Sequence, residues 1–260
     1  MKEPYLSQFT QLIGQGAAAR DIHDSTGRGS YDSESESVVS DRFVQRELDR
    51  VEMHQRSLCA TLVDQIGTAA RILDVGCGTA GTTVALALSD LGAEHVVGID
   101  ASASTVAAAW VRAGSYGLAP EQVRFEHVPA GSRLPFTDGS FDLVTCVSVL
   151  EFVSTGEARR FLVSEILRLV RPGGHVFLAT PSPFRFRNYH SRLALGDWRR
   201  SPGFPWSSPP WSVRRMFAGN AVVPLARYRM QRHPRLKTLA WAAPVLQWAF
   251  PWQQYLVRRR

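Results

Sequence analysis

A glycine-rich stretch and a carboxylate downstream of it are the residues whose types and spacing most clearly indicate ligand binding. Gly76, Gly78 and Gly81 follow the short apolar run Arg71–Val75, and Asp100 ends a second apolar run nineteen residues beyond Gly81. Glycines allow a sharp backbone turn and close approach to a ligand, and the helix that follows offers free amide groups. A carboxylate at the end of the next strand can accept both hydroxyls of a ribose. The pattern therefore predicts a nucleoside-containing cofactor.

Asp74, two residues before the first glycine, distinguishes two cofactor classes that share this loop. A dinucleotide would place a doubly anionic pyrophosphate over the glycines, close to a like charge. S-adenosylmethionine carries a sulfonium and an ammonium group and has no phosphate, so a carboxylate near its methionine end attracts it. Asp74 therefore favours S-adenosylmethionine over NAD.

The glycine loop and several later segments together resemble the class I S-adenosylmethionine-dependent methyltransferases, in the branch that modifies quinones and small molecules. The resemblance covers roughly residues 70–181. It implies an α/β fold with a Rossmann-like, mostly parallel seven-stranded sheet, helices on both faces, an N-terminal arm and C-terminal cap insertions. The matching segments are residues 74–81 (first motif), Asp100 (ribose acid), 134–144 (approach to strand four), 149–152 (after that strand) and 169–175 (turn into strand five).

The resemblance also implies roles for individual residues around S-adenosylmethionine. The loop amides hold the methionine part, Asp100 holds the ribose, Ala101 packs on the adenine, and Val147 and Ser148 lie beside the sulfonium. The family often has an acid that binds the adenine amine where this chain has Ala130, which implies weaker adenine binding or a substitute polar group such as the Gly131 amide. The predicted cofactor-binding residues are Asp74, Gly76, Cys77, Gly78, Thr79, Gly81, Asp100, Ala101, Gly131, Val147 and Ser148.

Few residues are candidates for the base that an oxygen or carbon acceptor needs. Glu151 follows the fourth strand at the edge of the sheet where ligands bind, and His190 lies in a segment rich in Trp and Arg. His23 and Tyr31 in the N-terminal arm are further candidates. Cys146 is interpreted as a small residue at a strand end, because nothing near it in the sequence would lower the pKa of its thiol.

Short apolar strands alternate with helical segments, which predicts a parallel sheet covered on both faces. A helix capped at Asp41 should run to Gly67, and Pro172-Gly173-Gly174 should form a turn. The predicted strands are 71–75, 95–99, 122–127, 141–147, 175–180, 221–230 and, at the sheet edge, 254–259, and the later helices are 82–91, 102–116, 157–170 and 234–250, the last with a break at Pro244.

Composition indicates a protein of 260 residues with three parts: a flexible arm (1–40), a cofactor-binding core (41–181), and a basic, Trp-rich acceptor cap (182–260) that also supplies the last strands. No apolar run is long enough to span a membrane, no secretion signal opens the chain, and the three cysteines lack metal-ligand spacing. We therefore expect a cytoplasmic protein without a metal site.

The C-terminal part is strongly basic. Residues 181–260 hold 15 of the 30 Lys and Arg and one of the 23 Asp and Glu, a net charge of +14, together with six of the seven Trp. Three interpretations remain open: an acceptor pocket, a surface formed by 234–260 that contacts an anionic membrane, and packing within the fold or in a homodimer. No recognised RNA-binding motif is present, so a nucleic-acid partner is not favoured.

These observations predict an S-adenosylmethionine-dependent methyltransferase. Its acceptor is expected to be a small or medium organic molecule, apolar with an anionic group, methylated at oxygen or carbon. Two alternatives stay open: a methyltransferase for RNA or a membrane lipid, and a protein that binds S-adenosylmethionine without catalysis.

Overall fold

The centre of the protein is a seven-stranded sheet of order β3-β2-β1-β4-β5-β7-β6, in a computed structural model that describes residues 5–19, 47–153, 155–182, 210–246, 250 and 252–260. The predicted Rossmann-like α/β fold is confirmed. The strands are β1 (Arg71–Val75), β2 (His95–Asp100), β3 (Val123–His127), β4 (Phe141–Val147), β5 (Val170–Pro181), β6 (Ala221–Pro224) and β7 (Trp252–Arg258).

Helices cover both faces of this sheet. The helix α2 is one continuous run whose middle is π-helical, the hydrogen-bonding pattern that often marks functional sites. The helices are α1 (Tyr5–Ala19), α2 (Arg50–His54, then Gln55–Cys59 and Ala60–Ile66), α3 (Gly81–Ala87), α4 (Ala103–Ser115), α5 (Gly156–Leu169), α6 (Pro210–Met216), α7 (Ala226–Arg232) and α8 (Ala243–Leu246), with 3-10 turns at Leu150–Phe152 and Lys237–Ala242.

The alternation of side chains along β1 divides the core into two layers. Ile72 faces one cluster of buried side chains, which includes residues of α2, α3 and α4, while Leu73 faces a second cluster with residues of α5 and α6. Strand β1 pairs in parallel with β2 on one side and β4 on the other, so the chain reverses its direction of winding at this point. In open α/β sheets, ligands bind in the crevice at the carboxyl ends of the strands at such a switch point.

The C-terminal strands differ from their predicted positions. The predicted strand 221–230 ends at Pro224 and continues as the helix Ala226–Arg232, whose residues have good helix propensity. Strand β7 was expected at the sheet edge, but it lies between β5 and β6 and pairs antiparallel with both. The predicted helix 234–250 was also wrong over its described part, which forms a 3-10 turn and the four-residue α8.

The expected turn at Pro172-Gly173-Gly174 lies inside a strand. Strand β5 begins at Val170, directly after α5, and a register irregularity opposite Phe141 and Leu143 accommodates the change. Gly173 has φ +76°, and its amide donates to the Arg259 carbonyl at 2.9 Å, so the C-terminus pairs with this segment.

The beginning of the predicted flexible arm is a helix that packs on α4. Phe9 of α1 is fully buried beside Ala108, and the Arg112 guanidinium lies 4.6 Å from the centre of the Phe9 ring. Residues 20–46, including the predicted helix cap Asp41, lie outside the described part of the chain. Within the described part, no helix is long and apolar enough to cross a membrane.

Candidate cofactor and acceptor site

A cavity of about 1500 Å³ opens at the carboxyl ends of β1, β2 and β4. Its floor is the loop between β1 and α3, and one wall is α2. It continues toward α7 and β7 in the C-terminal part. The switch point of the sheet, the glycine loop and the basic C-terminal elements therefore border one space.

Left-handed backbone conformations shape the glycine loop. Gly76 has φ +69°, Gly78 has φ +53° and Ala80 has φ +65°. A Cβ added to Gly76 would lie 2.3 Å from Val149 Cγ2, so a side chain has no room there. The Cys77 amide donates to the Ile99 carbonyl at 2.9 Å, which joins the loop to the end of β2. Gly76 is thus favoured by both conformation and close packing, and Gly78 by conformation alone.

Asp100 joins the glycine loop to the end of β2. Its Oδ2 accepts a hydrogen bond from the Gly78 amide at 2.8 Å, and its Oδ1 accepts from the Ser102 amide at 2.9 Å and the Thr105 hydroxyl at 3.2 Å. Burial raises the pKa of this carboxyl, although the two backbone amides favour its charged form. The carboxylate lines the cavity, in the position predicted for a ribose ligand.

Asp74 is placed differently from its prediction. It is fully buried under the loop, outside the cavity lining, and its two oxygens accept hydrogen bonds from the Thr83 and Thr145 hydroxyls at 2.7 Å each. Burial raises the pKa of Asp74 to about 6. The prediction that Asp74 contacts the ligand directly is therefore wrong. Its carboxylate instead links β1 to α3 and β4 through hydrogen bonds.

Every other residue predicted to bind the cofactor lies in the lining of this cavity. Their contact with a ligand remains a prediction, but the structure brings them to one surface. These residues are Gly76, Cys77, Gly78, Thr79, Gly81, Asp100, Ala101, Gly131, Val147 and Ser148.

The adenine end of the cavity has no acidic side chain. Ala130 and Gly131 line it, and the carboxylates that line the described cavity are Glu47 and Asp100. His127 also lines this end, with its Nε2 3.1 Å from the Ala101 carbonyl oxygen. A substitute polar group for adenine binding is expected from the sequence, because Ala130 stands where the family often has an acid. His127 is a polar side chain of that kind.

The polar face of α2 and the turn before it were missed as site residues. Glu47, Arg50 and His54 line the cavity, whereas Val51 of the same helix is buried in the core. Burial, followed by the nearby guanidinium groups of Arg50 and Arg112, lowers the pKa of His54 to about 4. The sequence predicted this helix, but not that its polar side faces the glycine loop.

Of the predicted bases, only Glu151 lies within the described residues, and it does not line the cavity. Glu151 lies in the 3-10 turn after β4, fully buried and outside the cavity lining, so its carboxylate is not positioned to reach an acceptor there. His190, His23 and Tyr31 lie outside the described residues. Burial raises the pKa of the Cys146 thiol, which agrees with its interpretation as an unreactive strand residue.

The C-terminal wall of the cavity is formed by α7 and β7. Tyr228 donates a hydrogen bond to Asp64 of α2 at 2.5 Å, and Arg232 forms an ion pair with the same carboxylate. Arg229 donates to the Trp252 carbonyl at 3.2 Å. These contacts attach the basic C-terminal elements to α2, and the side chains that line the cavity here include three cationic or titratable groups, Arg229, Arg232 and His233.

The described tryptophans of the C-terminal part do not share one pocket. Among the described ones, Trp252 lines the cavity, whereas Trp211 and Trp241 are 58% and 76% exposed and do not line it. Trp198, Trp206 and Trp248 lie outside the described residues. Among the described tryptophans, only Trp252 is therefore placed to contribute to this cavity.

Comparison with known proteins identifies the central domain. Residues 73–178 match the family model described as a methyltransferase domain. A ubiquinone biosynthesis O-methyltransferase from Cupriavidus pinatubonensis is 36% identical over 110 residues, which are 42% of this chain and 41% of that protein. One from Maricaulis maris is 37% identical over a stretch of equal length. The chain thus spans about two fifths of the length of the curated relatives it matches.

Solved structures share the whole architecture at low sequence identity. The N-methyltransferase NodS from Bradyrhizobium japonicum, in complex with S-adenosyl-L-homocysteine, is 14% identical with a TM-score of 0.57, covering 89% of this chain and 99% of that one. The cyclase SpnF is 22% identical with a TM-score of 0.52, covering 80% and 82%. These similarities show the fold alone. The family match shows that residues 73–178 form a methyltransferase domain, and the strand order and the glycine loop closed by Asp100 agree with it.

Proposed function

We propose that this protein transfers a methyl group from S-adenosylmethionine to an oxygen or carbon atom of a small or medium organic acceptor. The observation that carries the proposal is the glycine loop, held by Asp100, at the floor of a cavity that continues to the basic C-terminal wall. A single drug-sized ligand occupies a pocket of roughly 300–1,000 Å³. The cavity of about 1500 Å³ therefore has room for the cofactor and a second molecule.

The residues at the floor fit this cofactor. Asp100 offers a carboxylate to the ribose hydroxyls, and the loop amides and the Arg50 guanidinium serve the methionine end. Ala101 and Gly131 border the adenine, while Val147 and Ser148 border the sulfonium. S-adenosylmethionine supplies a methyl group on a cationic sulfur, which leaves as a neutral thioether without help from an acid. The protein therefore contributes mainly by positioning.

The acceptor is apolar and carries an anionic group. Leu58, Phe152 and Leu162 give the cavity apolar walls, and Arg229 and Arg232 add positive charge near its C-terminal side. The matched relatives are O-methyltransferases by name, which supports oxygen over carbon as the methylated atom.

His54 replaces Glu151 as the candidate base. It lines the cavity, and its lowered pKa of about 4 keeps the imidazole neutral at physiological pH but makes it a weak base, so it acts mainly by accepting a hydrogen bond from an acceptor hydroxyl. His54→Ala should therefore lower turnover by about 10²-fold or less, the low end of the range for acid–base groups, and leave the affinity for S-adenosylhomocysteine unchanged. The matched control is His95→Ala, on the exposed side of β2. Full activity of His54→Ala would mean that positioning alone suffices.

Calorimetry with S-adenosylhomocysteine and with NAD tests the cofactor assignment. We expect binding of the first and none of the second, and tight binding of NAD alone would overturn the proposal. Mass spectrometry of reactions with phenols, carboxylic acids, lipids and RNA then tests the acceptor class. A protein that binds the cofactor without catalysis would methylate none of them.

We also propose that the segment 234–260 contacts an anionic membrane surface through its exposed beginning, residues 235–241, because β7 at its end is an interior strand. Trp241 and Leu239 project from the 3-10 turn with 76% and 43% of their surface exposed, beside the cationic side chains Arg235 and Lys237. Amphipathic segments of this composition bind the interface of anionic bilayers. Such a contact would bring an apolar acceptor close to the cavity wall formed by α7.

A further inference from the structure

Glu47 connects three elements that meet at the methionine end of the proposed cofactor site. Its Oε2 accepts a hydrogen bond from the Thr79 hydroxyl of the glycine loop at 2.7 Å, and its Oε1 lies 2.7 Å from Nε of Arg50 in α2. The side chain is 3% exposed, so these contacts form away from bulk water. Hydrogen bonds to charged groups in such surroundings are stronger than neutral ones.

Arg112 of α4 holds Glu47 from the other side. Its Nη2 donates to the Glu47 backbone carbonyl at 2.7 Å and lies 3.7 Å from the Glu47 carboxylate. The guanidinium is 1% exposed and lies over the Phe9 ring of α1. Nη1 of this buried guanidinium has no hydrogen-bond partner within the described residues. Arg112 thus depends on the Glu47 carboxylate for charge compensation, because an unpaired buried cation is costly.

The same contacts fix the position of Arg50. A Cβ built on Gly81 would lie 2.8 Å from both Arg50 Cβ and Arg112 Nη1, so both arginines pack directly on the first residue of α3. Arg50 lines the cavity there. Without Glu47, two guanidinium groups would remain close together at the start of α3 and would repel each other.

We infer that Glu47 is a positioning residue for the cofactor: through Thr79 and Arg50 it fixes α2 against the glycine loop at the end that receives the methionine moiety. The inference rests on the proposed function, which assigns the methionine part of S-adenosylmethionine to this end of the cavity. It adds a polar connection between Glu47 and Thr79, which are 32 residues apart in sequence.

Calorimetric titration with S-adenosylhomocysteine tests the inference. We expect Glu47→Gln to weaken binding by about tenfold or more, and Thr79→Val to weaken it by about tenfold, the loss expected for one hydrogen bond to a charged group. Thr79→Ser keeps the hydroxyl and should bind like the wild type. Glu52→Gln is the matched control, because Glu52 is an exposed residue near the start of the same helix that pairs only with Arg56 among the described side chains.

The double variant separates positioning from general loss of structure. If Glu47 acts through Thr79, Glu47→Gln with Thr79→Val should bind as weakly as Glu47→Gln alone, because coupled residues are not additive. Additive losses, or Glu47→Gln binding within twofold of the wild type, would overturn the inference. Should Glu47→Gln fail to fold, the comparison of Thr79→Val with Thr79→Ser still tests the inference. Equal affinities of these two variants for S-adenosylhomocysteine would overturn it. Absence of binding by the wild type would instead overturn the cofactor assignment.

Discussion

The floor of the cavity and its C-terminal wall are built in different ways. The floor is fixed by backbone: left-handed residues, parallel strands, and hydrogen bonds from the Gly78 and Cys77 amides. The wall consists of the seven-residue helix α7, attached to α2 by polar side chains such as Tyr228 and Arg232, and of the start of β7. The floor therefore tolerates little change, whereas the wall can vary without disturbing the fold.

This difference matches the two binding tasks of the proposed function, which are to hold the cofactor and to select the acceptor. A common cofactor requires one geometry, which backbone conformation supplies. Acceptor choice requires variation, which side chains on attached elements supply. The family match also ends at residue 178, within β5 and before the C-terminal wall begins.

The largest expected effect tests the rigidity of the floor. Gly76→Ala combines a left-handed backbone with a Cβ 2.3 Å from Val149 Cγ2, so it should lower the free energy of unfolding by about 2–5 kcal/mol and abolish S-adenosylhomocysteine binding. Gly92→Ala is the matched control, because Gly92 has φ +66° and open space around its Cβ position. Urea unfolding of both variants separates the steric overlap with Val149 from the effect of the left-handed backbone. Equal losses in the free energy of unfolding would contradict close packing at Gly76.

Protonation of Asp74 should make the free energy of unfolding depend on pH. Its pKa of about 6 lies above the ordinary 3.8, so the folded protein binds this proton more tightly than the unfolded chain between about pH 4 and 6. Stability from this group therefore falls as pH rises through that window. Asp74→Asn cannot ionise, and its free energy of unfolding should rise relative to the wild type by up to about 3 kcal/mol between pH 4 and 7. A pH-independent difference between the two proteins in urea unfolding would contradict the raised pKa.

Asp100 should affect both ligand binding and the loop that it holds. Asp100→Asn keeps the shape, but its NH2 group would face either the Gly78 amide or the Ser102 amide. It therefore loses a hydrogen bond to the backbone as well as weakening those to the ribose, and its affinity for S-adenosylhomocysteine should fall by about 1.5–3 kcal/mol or more. Asp138→Asn is a control, since that exposed carboxylate lies at the Arg168 ion pair. Calorimetry with both variants checks the assignment, and an unchanged affinity of Asp100→Asn would remove Asp100 from the ribose site.

The sequence predicted the floor better than the wall for physical reasons. The bounds of β1 and β4 follow from short apolar runs between turn residues, and both were predicted to the residue. The error on Asp74 was avoidable: a strand's period of two places Asp74 on the same face as Ile72, under α3 and away from the cavity. Likewise, Tyr255, Leu256 and Val257 are buried in succession, a pattern of an interior strand that excludes the edge.

Other features depend on contacts that local pattern does not contain. Glu47 meets Thr79, and Asp64 meets Tyr228, only because α2 docks over the glycine loop and α7 docks on α2. Helical periodicity predicts that such residues lie on a polar face, but not what that face covers. The Arg-rich segment after Pro224 suits a strand or a helix equally by composition, and packing of Met230 decides for the helix.

The smallest effect on the fold is expected at Trp241, an exposed residue of the 3-10 turn that follows α7. Trp241→Ser should change the free energy of unfolding by less than about 0.5 kcal/mol, because an exposed side chain far from special backbone features contributes little. If the membrane contact is real, the same change should reduce co-sedimentation with phosphatidylglycerol vesicles, and binding of the wild type should weaken as salt rises, because screening acts over about 8–10 Å at physiological ionic strength. Leu88→Ser, at an exposed apolar residue after α3, is the control and should bind like the wild type. Equal vesicle binding by all three proteins would show that Trp241 makes no membrane contact, and the wall would then serve the acceptor alone.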